Sequence, residues 1–350
     1  MSDEKLIGTS ALDATSMQAA LLLQGSLTKP AGSLGRLEDL GVQLAGIYRS
    51  CPPPVPRRPM VVVAAGDHGV LAEGVSPWPQ EVTAQMIANF LAGGAAINVL
   101  ADEVGAQVVV VDCGVRAVFE ATPMLHTVKR AEVTGNIYVE PAMSEAVANA
   151  LIGEGRRFAS EQASLGVDLF LTGDMGIGNT TPSAALIATV TGASASRVTG
   201  RGTGIDDRTL AKKTAVIEHV VSSYRGDRSG ATELLSRMGG FEHAFLTGLI
   251  LGAAEANTPV ILDGVIAIAS ALMASLENEA VVGYLIAGHR SVEPGASIGL
   301  AHLGLEPLVD LGLRLGEGTG ATLAVPMVRA AARVLAEMAT FDSAGVTEKS

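Results

Sequence analysis

Cysteine, aromatic residues and positive charge are all scarce in this sequence of 350 residues. The two cysteines, Cys51 and Cys113, form no CxxC pair, which argues against a disulfide scaffold and favours free thiols in a reducing compartment. Lys and Arg number 24 against 36 Asp and Glu, giving a net charge of -12, and aromatic residues make up 3%. A chain with neither a basic stripe nor stacking side chains is a poor partner for nucleic acid.

No hydrophobic run is long enough to predict a membrane span. The most apolar window, residues 264–276, lies between Asp263 and Glu277 and is shorter than the ~20 residues that cross a bilayer. No secretory signal pattern is present, so we expect a cytoplasmic location without a membrane partner. The apolar content of 48% then reflects a large interior and is compatible with buried subunit surface.

Motifs for metal and hydrolytic chemistry are also missing. The six histidines show no HExxH or other paired-ligand spacing, and no cysteine cluster joins them, so we expect no metal site. The segment GASIG at 295–299 has the GxSxG spacing, but it does not directly follow a predicted strand as the nucleophile of a hydrolase does, which leaves a Ser-His-Asp hydrolase unsupported.

A repeated pattern after residue 59 predicts a parallel sheet. Five short apolar runs end at glycine next to a polar or charged residue, at 60–65, 108–111, 169–172, 260–262 and 284–287. Their apolar residues are continuous rather than alternating, which is typical of strands buried on both faces. Helical patterns lie between them, at 82–100, 144–165, 182–191 and 210–224. We therefore expect an α/β fold, a Rossmann-like parallel sheet with helices on both faces, and a ligand site beyond the carboxyl ends of its strands.

Helical segments at both ends are expected to form a small second domain. Periodicity predicts helices at 11–24 and 33–49, and the proline-rich connector CPPPVPRRP follows the second. A last helix follows residues 316–320 and runs to about Met338, with Pro326 expected in its first turn. We predict an N-terminal helical segment at 1–55, an α/β substrate-binding domain at 56–315, and a segment at 316–350 that completes the small domain.

Two glycine-rich loops are candidates for anion binding. The first, residues 173–182, follows a strand and precedes a helix, where backbone N–H groups can bind an anion, although a plain tight turn explains the same glycines. Its order is GxxGxG, so it lacks the dinucleotide fingerprint. The second, residues 199–207, precedes Lys212 and Lys213 and indicates a phosphate loop without a Walker A ending. A surface loop with solvated lysines is an equal alternative.

A third loop places one carboxylate, Glu317, among three glycines directly before a helix. Because glycines add no side-chain bulk, a planar ligand can reach this carboxylate, a geometry that suits a general base. A glutamate that merely favours the helix N-terminus through the macrodipole is the alternative. The residues alone leave both open.

Five segments, in this order along the chain, resemble one enzyme family. They are KPAGSLGRLE at 29–38, AGDHGV at 65–70, the loop at 173–182, LDG at 262–264 and RLGEGTGA at 314–321. From about residue 10 to residue 340 the chain resembles the nicotinate-nucleotide:dimethylbenzimidazole phosphoribosyltransferases of cobalamin nucleotide-loop assembly. The resemblance implies that nicotinate mononucleotide and 5,6-dimethylbenzimidazole give α-ribazole 5′-phosphate and nicotinate, with inversion at the anomeric carbon. It also implies a homodimer that needs no cofactor.

The same resemblance assigns the chemistry to Glu317 as general base, with Asp174 as a supporting carboxylate. We expect Glu317 to have an ordinary pKa of about 4.3 and to be kept ionised by the helix behind it. The family commonly has Glu at the position of Asp174. The carboxylate is therefore one methylene shorter here, so it acts through a water or the pocket is slightly reshaped.

Substrate contacts are implied in three groups. The phosphate is expected at the amides of Gly202, Thr203 and Gly204 with the ammonium group of Lys213. The ribose and nicotinate are expected near Gly176, Asp263, Gly264 and Ser291, and Gly178 and Asn179 are expected to bind substrate as well. The acceptor base is expected near Gln85, Met86, Met175 and Leu315.

Alternatives to this reaction stay open at the level of sequence. Another acceptor, such as adenine or a phenol, fits the same chemistry, because one methyl group in an apolar pocket gives only ~1–3 kcal/mol of discrimination. A nucleotide-dependent oxidoreductase is disfavoured by the missing GxGxxG loop. A non-catalytic binding protein is disfavoured by the intact glycine setting of Glu317.

Overall fold

The computed structural model describes residues 10–224 and 230–347, and a parallel sheet lies at its centre. The strands are β1 (Pro59–Gly66), β2 (Gln107–Gly114), β3 (Leu125–Thr127), β4 (Leu169–Met175), β5 (Val260–Leu262) and β6 (Leu285–Ala287). Their order is β3-β2-β1-β4-β5-β6, and every neighbouring pair is parallel. The Rossmann-like fold class is confirmed. The apolar runs missed β3, a three-residue edge strand that is only partly buried.

Helices occupy most of the remaining chain. The α-helices of the described residues are α1 (Ala14–Ser26), α2 (Arg36–Tyr48), α3 (Glu81–Leu91), α4 (Ala96–Glu103), α5 (Glu145–Ser164), α6 (Thr180–Thr191), α7 (Ala195–Val198), α8 (Asp207–Ser223), α9 (Ala231–Met238), α10 (Phe241–Glu255), α11 (Val265–Glu277), α12 (Pro294–Leu303), α13 (Thr319–Glu337) and α14 (Phe341–Ala344). Short 3-10 helices cover Gly69–Glu73 and Glu279–Tyr284.

Apolar side chains cover both faces of the sheet. All eight residues of β1 are buried, and because alternate side chains of a strand point to opposite faces, Val62 and Val63 belong to two different apolar clusters. The cluster of Val62 includes Phe245 of α10, and the cluster of Val63 includes Val328 of α13. Burial of each such side chain contributes ~1.5–3 kcal/mol, so packing on both sides fixes the strands from which the site is built.

Two helical expectations need correction. The helix predicted at 82–100 is two helices, α3 and α4, because Gly93 turns the backbone to a φ of 78° just after α3 ends. Pro326 lies inside α13, exposed to solvent, rather than in its first turn, because the helix begins immediately after Gly318. By length and composition alone the segment Glu81–Glu103 is apolar enough to cross a membrane, a weak indication that core helices of soluble proteins also give.

The terminal helices pack on one another. Ala20 of α1, Val42 and Ala45 of α2 and Leu335 of α13 form a small apolar cluster, and Thr28 N donates to Ala339 O at 3.0 Å. Helix α13 also packs on the sheet, next to β4 and β5. The boundaries at 55/56 and 315/316 stay a proposal, and residues 1–9 lie outside the described chain.

The direction of the strand order reverses between β1 and β4, which is where ligands bind in open α/β sheets. The loops after these two strands are in close contact there: a Cβ at Gly176 would clash with Gly66 O and touch His68. Glycine at 176 therefore lets the two loops form one continuous wall.

Candidate active site

A cleft that is partly open to solvent lies at the carboxyl ends of the strands. Ten of the residues predicted for the site line it, namely Asp174, Gly176, Gly178, Asn179, Gly202, Thr203, Lys213, Gly264, Ser291 and Leu315. Other lining residues were not predicted, among them Thr180, Arg201, His289, Glu293 and Arg314. Three of the predicted loops thus meet in one cleft.

Around Gly202 and Lys213 the cleft is lined by a glycine loop and a buried lysine. Gly202 and Gly204 have φ angles of 51° and 112°, which glycine adopts without steric cost. The neighbouring Lys213 is buried on α8, and its Nζ donates to Thr180 Oγ1 at 2.7 Å and to Gly200 O at 3.1 Å. Burial lowers the pKa of Lys213 to about 8, a shift that the carboxylate of Glu293 opposes. At neutral pH the lysine is therefore still mainly charged.

Glu293 contacts the same glycine loop as Lys213 does. Its Oε1 accepts a hydrogen bond of 2.7 Å from Gly202 N, and the residue is only 6% exposed. Sequence reasoning missed this contact, because the two residues are far apart in the chain and Glu293 belongs to no glycine-rich motif.

Asp174 lines the cleft near the end of β4. Its Oδ2 accepts a hydrogen bond of 2.8 Å from Asn179 Nδ2, while its buried Oδ1 has no hydrogen-bond partner among the described residues. Burial, and then the nearby charge of Asp263, raises the pKa of Asp174 to about 8. The side chain is thus mainly a neutral acid at pH 7, and its supporting role in the chemistry stays a prediction.

Asp263 holds the loop that carries Glu317. Its carboxylate accepts hydrogen bonds from Gly320 N at 2.7 Å, Ala321 N at 3.0 Å and Gly318 N at 3.3 Å, all at the start of α13. Burial raises its pKa, although His289 at 3.7 Å opposes the shift. Because these bonds occupy the carboxylate and it does not line the cleft, its position is that of a helix cap.

Glu317 is buried at 5% exposure and has a φ of 65°, which is rare for a residue with a side chain. Its Oε2 accepts a hydrogen bond of 3.3 Å from Ile97 N in the first turn of α4. Burial raises its pKa, the Ile97 amide lowers it, and the charge of Asp263 raises it further. The pKa of Glu317 is therefore not the ordinary value that we expected, chiefly because the side chain is buried, and the amides at the start of α13 are bonded to Asp263 instead.

The loop around Glu317 requires its glycines. A Cβ at Gly173 would contact Glu317 O at 2.5 Å, and Gly316, which lines the cleft, would carry a Cβ 3.2 Å from Asp174 Oδ1. Glu317 itself does not line the cleft, whereas its chain neighbours Leu315 and Gly316 do.

The remaining predicted residues lie outside the cleft lining. Gln85 is exposed on α3, and Met86 and Met175 pack against the apolar cluster that includes Val63. Gly204 is exposed at the end of the glycine loop, with its Cβ position 3.9 Å from Arg314 Nη1. Their assigned substrate contacts stay predictions.

Four buried polar side chains, outside the cleft lining, contact one another in series. Glu242 Oε1 lies 2.8 Å from His68 Nε2 and 3.0 Å from His243 Nδ1, and Ser183 Oγ lies 2.8 Å from His243 Nε2. Burial acts to raise the pKa of Glu242, but the two histidines outweigh it and hold the pKa well below its usual range. These hydrogen-bonded side chains connect the AGDHGV motif, at the end of β1, to α6 and α10. Their contacts position loops rather than substrate.

In the part of the chain that the structure describes, no group of three or more His, Cys, Asp or Glu side chains is placed to hold a metal ion. The absence of a metal and of a cofactor stays a prediction.

Comparison with known proteins gives a consistent result. A family model described as phosphoribosyltransferase matches residues 9–346. A nicotinate-nucleotide–dimethylbenzimidazole phosphoribosyltransferase from Salinispora tropica is 52% identical over 352 residues, covering 97% of both chains. The protein of the same name from Chloroflexus aggregans is 51% identical over 338 residues, covering 97% of this chain and 96% of its own. A solved structure of CobT from Thermus thermophilus has a TM-score of 0.92 at 43% identity, covering 96% of this chain and all of its own.

The fold, the cleft and these matches define an enzyme of the transferase class. The chain belongs to the nicotinate-nucleotide:dimethylbenzimidazole phosphoribosyltransferase family, as its five motifs predicted.

Proposed function

We propose that this enzyme transfers the phosphoribosyl group of nicotinate mononucleotide to 5,6-dimethylbenzimidazole, giving α-ribazole 5′-phosphate and nicotinate for cobalamin assembly. The observation that carries the proposal is the cleft with two unlike ends, one with Lys213 and a glycine-loop amide and the other leading to Glu317. The names of the relatives support the choice of substrates.

The 5′-phosphate binds at the end of the cleft formed by Gly202 and Lys213. Backbone N–H groups of a glycine loop and a buried ammonium group are the donors that proteins commonly use for phosphate. With the phosphate there, the ribose extends along Gly176 and Ser291 toward Asp174 and Glu317, so the anomeric carbon lies between the two ends.

Nicotinate is the leaving group and needs little assistance. Its ring nitrogen is cationic in the mononucleotide and becomes neutral when the bond to the anomeric carbon breaks. The acceptor base attacks the opposite face of that carbon, so the β linkage becomes α. No acid has to protonate the departing ring.

Glu317 accepts the proton that the benzimidazole loses. Once one ring nitrogen is alkylated, the N–H of the other becomes acidic, and a nearby carboxylate can remove it. The raised pKa of Glu317 makes its carboxylate a stronger base than an exposed glutamate. Its bond to Ile97 N fixes the side chain while the reaction proceeds.

Asp174 assists as a neutral acid. With Asn179 Nδ2 bonded to one oxygen and the pKa at about 8, the protonated group offers a hydrogen bond to a ligand or to an intervening water. A neutral group here also leaves Glu317 as the anion nearest the acceptor, which avoids two carboxylates repelling each other across the loop.

We also place the enzyme in the cytoplasm as a homodimer that acts on small molecules, without nucleic acid or membrane partners. A monomeric mass in solution at micromolar concentration would remove the dimer from this account.

The proposal is tested by identifying products. Purified enzyme is incubated with nicotinate mononucleotide and a mixture of dimethylbenzimidazole, adenine and a phenol, and products are identified by mass spectrometry and by the configuration of the anomeric carbon. We expect free nicotinate and α-ribazole 5′-phosphate as the main product. A dominant adenine or phenol product would shift the proposal to that acceptor, and no release of nicotinate with any base would refute phosphoribosyl transfer.

A further inference from the structure

The phosphate end of the cleft already holds an anion of the protein. Glu293, at the N-terminal end of α12, places Oε1 2.7 Å from Gly202 N. Its own backbone N–H donates to Ser291 Oγ at 3.3 Å, and both residues line the cleft. A carboxylate therefore takes the hydrogen bond that the proposed function gives to the substrate phosphate.

The glycine loop is shaped around this carboxylate. A Cβ at Gly200 would clash with both carboxylate oxygens of Glu293, so only glycine at position 200 lets the side chain reach the loop. Lys213 bonds to Gly200 O and to Thr180 Oγ1, so its ammonium group lies in the same loop environment. The carboxylate of Glu293 thereby stabilises the charged form of this buried lysine.

Glu293 and a bound phosphate compete for the same place. One N–H group makes one good hydrogen bond, so Gly202 N cannot serve both anions at full strength. Two anions held a few ångströms apart in a partly buried site also repel each other strongly. Binding of the mononucleotide must therefore move the carboxylate away from Gly202 N.

We propose that Glu293 is a resident anion of the phosphate loop, which occupies the loop amide until the substrate binds and is then displaced by the 5′-phosphate. Glu293 thereby reduces the preference of the enzyme for the phosphate ester over the corresponding riboside, because only the ester has to displace the carboxylate. The inference rests on the proposed function for the identity of the anion.

The displacement reduces the net affinity for phosphate, because part of the binding free energy is used to move Glu293. Removal of its charge should therefore strengthen binding. This direction distinguishes a resident anion from a side chain that braces the loop or binds the ribose, since loss of either of those functions weakens binding.

The test measures binding of inorganic phosphate and of nicotinate mononucleotide to the full-length enzyme by calorimetry. Glu293→Gln keeps an oxygen that can accept from Gly202 N but removes the charge, and Glu293→Ala removes both. Glu161→Gln is the matched control, because it changes the net charge equally at an exposed position on α5. We expect both Glu293 variants to bind phosphate roughly tenfold more tightly than wild type, and Glu161→Gln to bind as wild type does.

A second readout is the preference for mononucleotide over riboside. In Glu293→Gln the KM of the mononucleotide should fall. Equal or weaker binding of phosphate by Glu293→Gln, in a protein that melts as wild type does, would overturn the inference, as would the absence of phosphate binding in both proteins. This test and the test of the proposed function can fail independently. Tighter phosphate binding by the variant without turnover would refute only the proposed reaction. Turnover without tighter phosphate binding would refute only the role of Glu293 as a resident anion.

Discussion

The two ends of the cleft differ in charge and in how their polar groups are satisfied. At the phosphate end, one buried lysine and a glycine-loop amide face a single carboxylate, that of Glu293. Around Asp174, which lines the cleft, the carboxyl groups of Asp174, Asp263 and Glu317 interact with one another, and burial raises the pKa of each. In the proposed function, the first group binds the anionic phosphate and the second accepts a proton from the neutral acceptor base.

Asp263 and Glu317 show the same contrast on a smaller scale. Both are buried carboxylates beside helix N-termini, but Asp263 accepts three backbone hydrogen bonds and Glu317 accepts one. A carboxylate whose hydrogen bonds are complete is held in a structural role. Glu317 keeps acceptor capacity for a ligand.

The largest effect is expected from removing the proton acceptor, Glu317. Glu317→Gln keeps the shape of the side chain but cannot take the proton, so kcat should fall by roughly 10²–10⁴-fold. The measurement is single-turnover release of nicotinate, with a melting curve as the folding control. Turnover within a few-fold of wild type would remove Glu317 from the chemistry.

The same variant should also change the pH dependence of activity. Glu317 must be ionised to act, so wild-type activity should fall as the pH drops through its raised pKa, above the usual range for glutamate. Glu317→Gln should lack this acidic limb. If the limb persists in the variant, another group is the base.

Asp174 allows a test by stability rather than by activity. The carboxyl ionises near 3.8 when unfolded and at about 8 when folded, so between these values the folded state holds one more proton. Wild-type stability should fall with rising pH through this window, by at most about 1.4 kcal/mol per pH unit from this group. Asp174→Asn should lose that slope in urea unfolding, whereas Asp39→Asn, at an exposed position, should keep it. Equal slopes in all three proteins would contradict a neutral Asp174.

Substitution of Lys213, at the phosphate end of the cleft, should mainly weaken substrate binding. Lys213→Ala removes a charge-assisted bond, each worth ~1.5–3 kcal/mol, so the KM of nicotinate mononucleotide should rise by roughly 10–150-fold with a smaller change in kcat. Lys212→Ala is the matched control, since that neighbouring lysine is exposed. A fall in kcat without a change in KM would place Lys213 in the chemistry instead.

The smallest effect is expected from substitution of Arg314, an exposed residue that lines the cleft. Arg314 Nη1 donates to Gly202 O at 3.3 Å from an exposed position, and exposed contacts of this kind contribute ~1 kcal/mol or less. Arg314→Ala should therefore raise the KM of the mononucleotide only a few-fold. A change as large as that of Lys213→Ala would show that Arg314 contacts the phosphate directly.

Sequence patterns predicted the parts of this molecule that depend on neighbouring residues. Continuous apolar runs revealed β1, β2, β4, β5 and β6, because strands buried on both faces need them. β3 escaped, since a three-residue edge strand has no such run. The glycine loops likewise marked the cleft, because close approach and positive φ angles restrict which residues fit.

Contacts between distant segments could not be predicted in this way. The bond from Ile97 N to Glu317 joins positions 220 residues apart, and that from Gly202 N to Glu293 joins positions 91 apart. No local pattern encodes either pair. The raised pKa values of Glu317 and Asp174 follow from burial in the assembled fold, so the sequence supported only their ordinary values.

The most direct test of the two-ended cleft is a structure of the enzyme with nicotinate mononucleotide bound. We predict the phosphate within hydrogen-bond distance of Gly202 N and Lys213 Nζ, with the anomeric carbon toward the loop of Asp174 and Glu317. A phosphate bound elsewhere, such as at the loop of residues 173–182, or a ribose turned away from Glu317, would contradict the assignment of both ends.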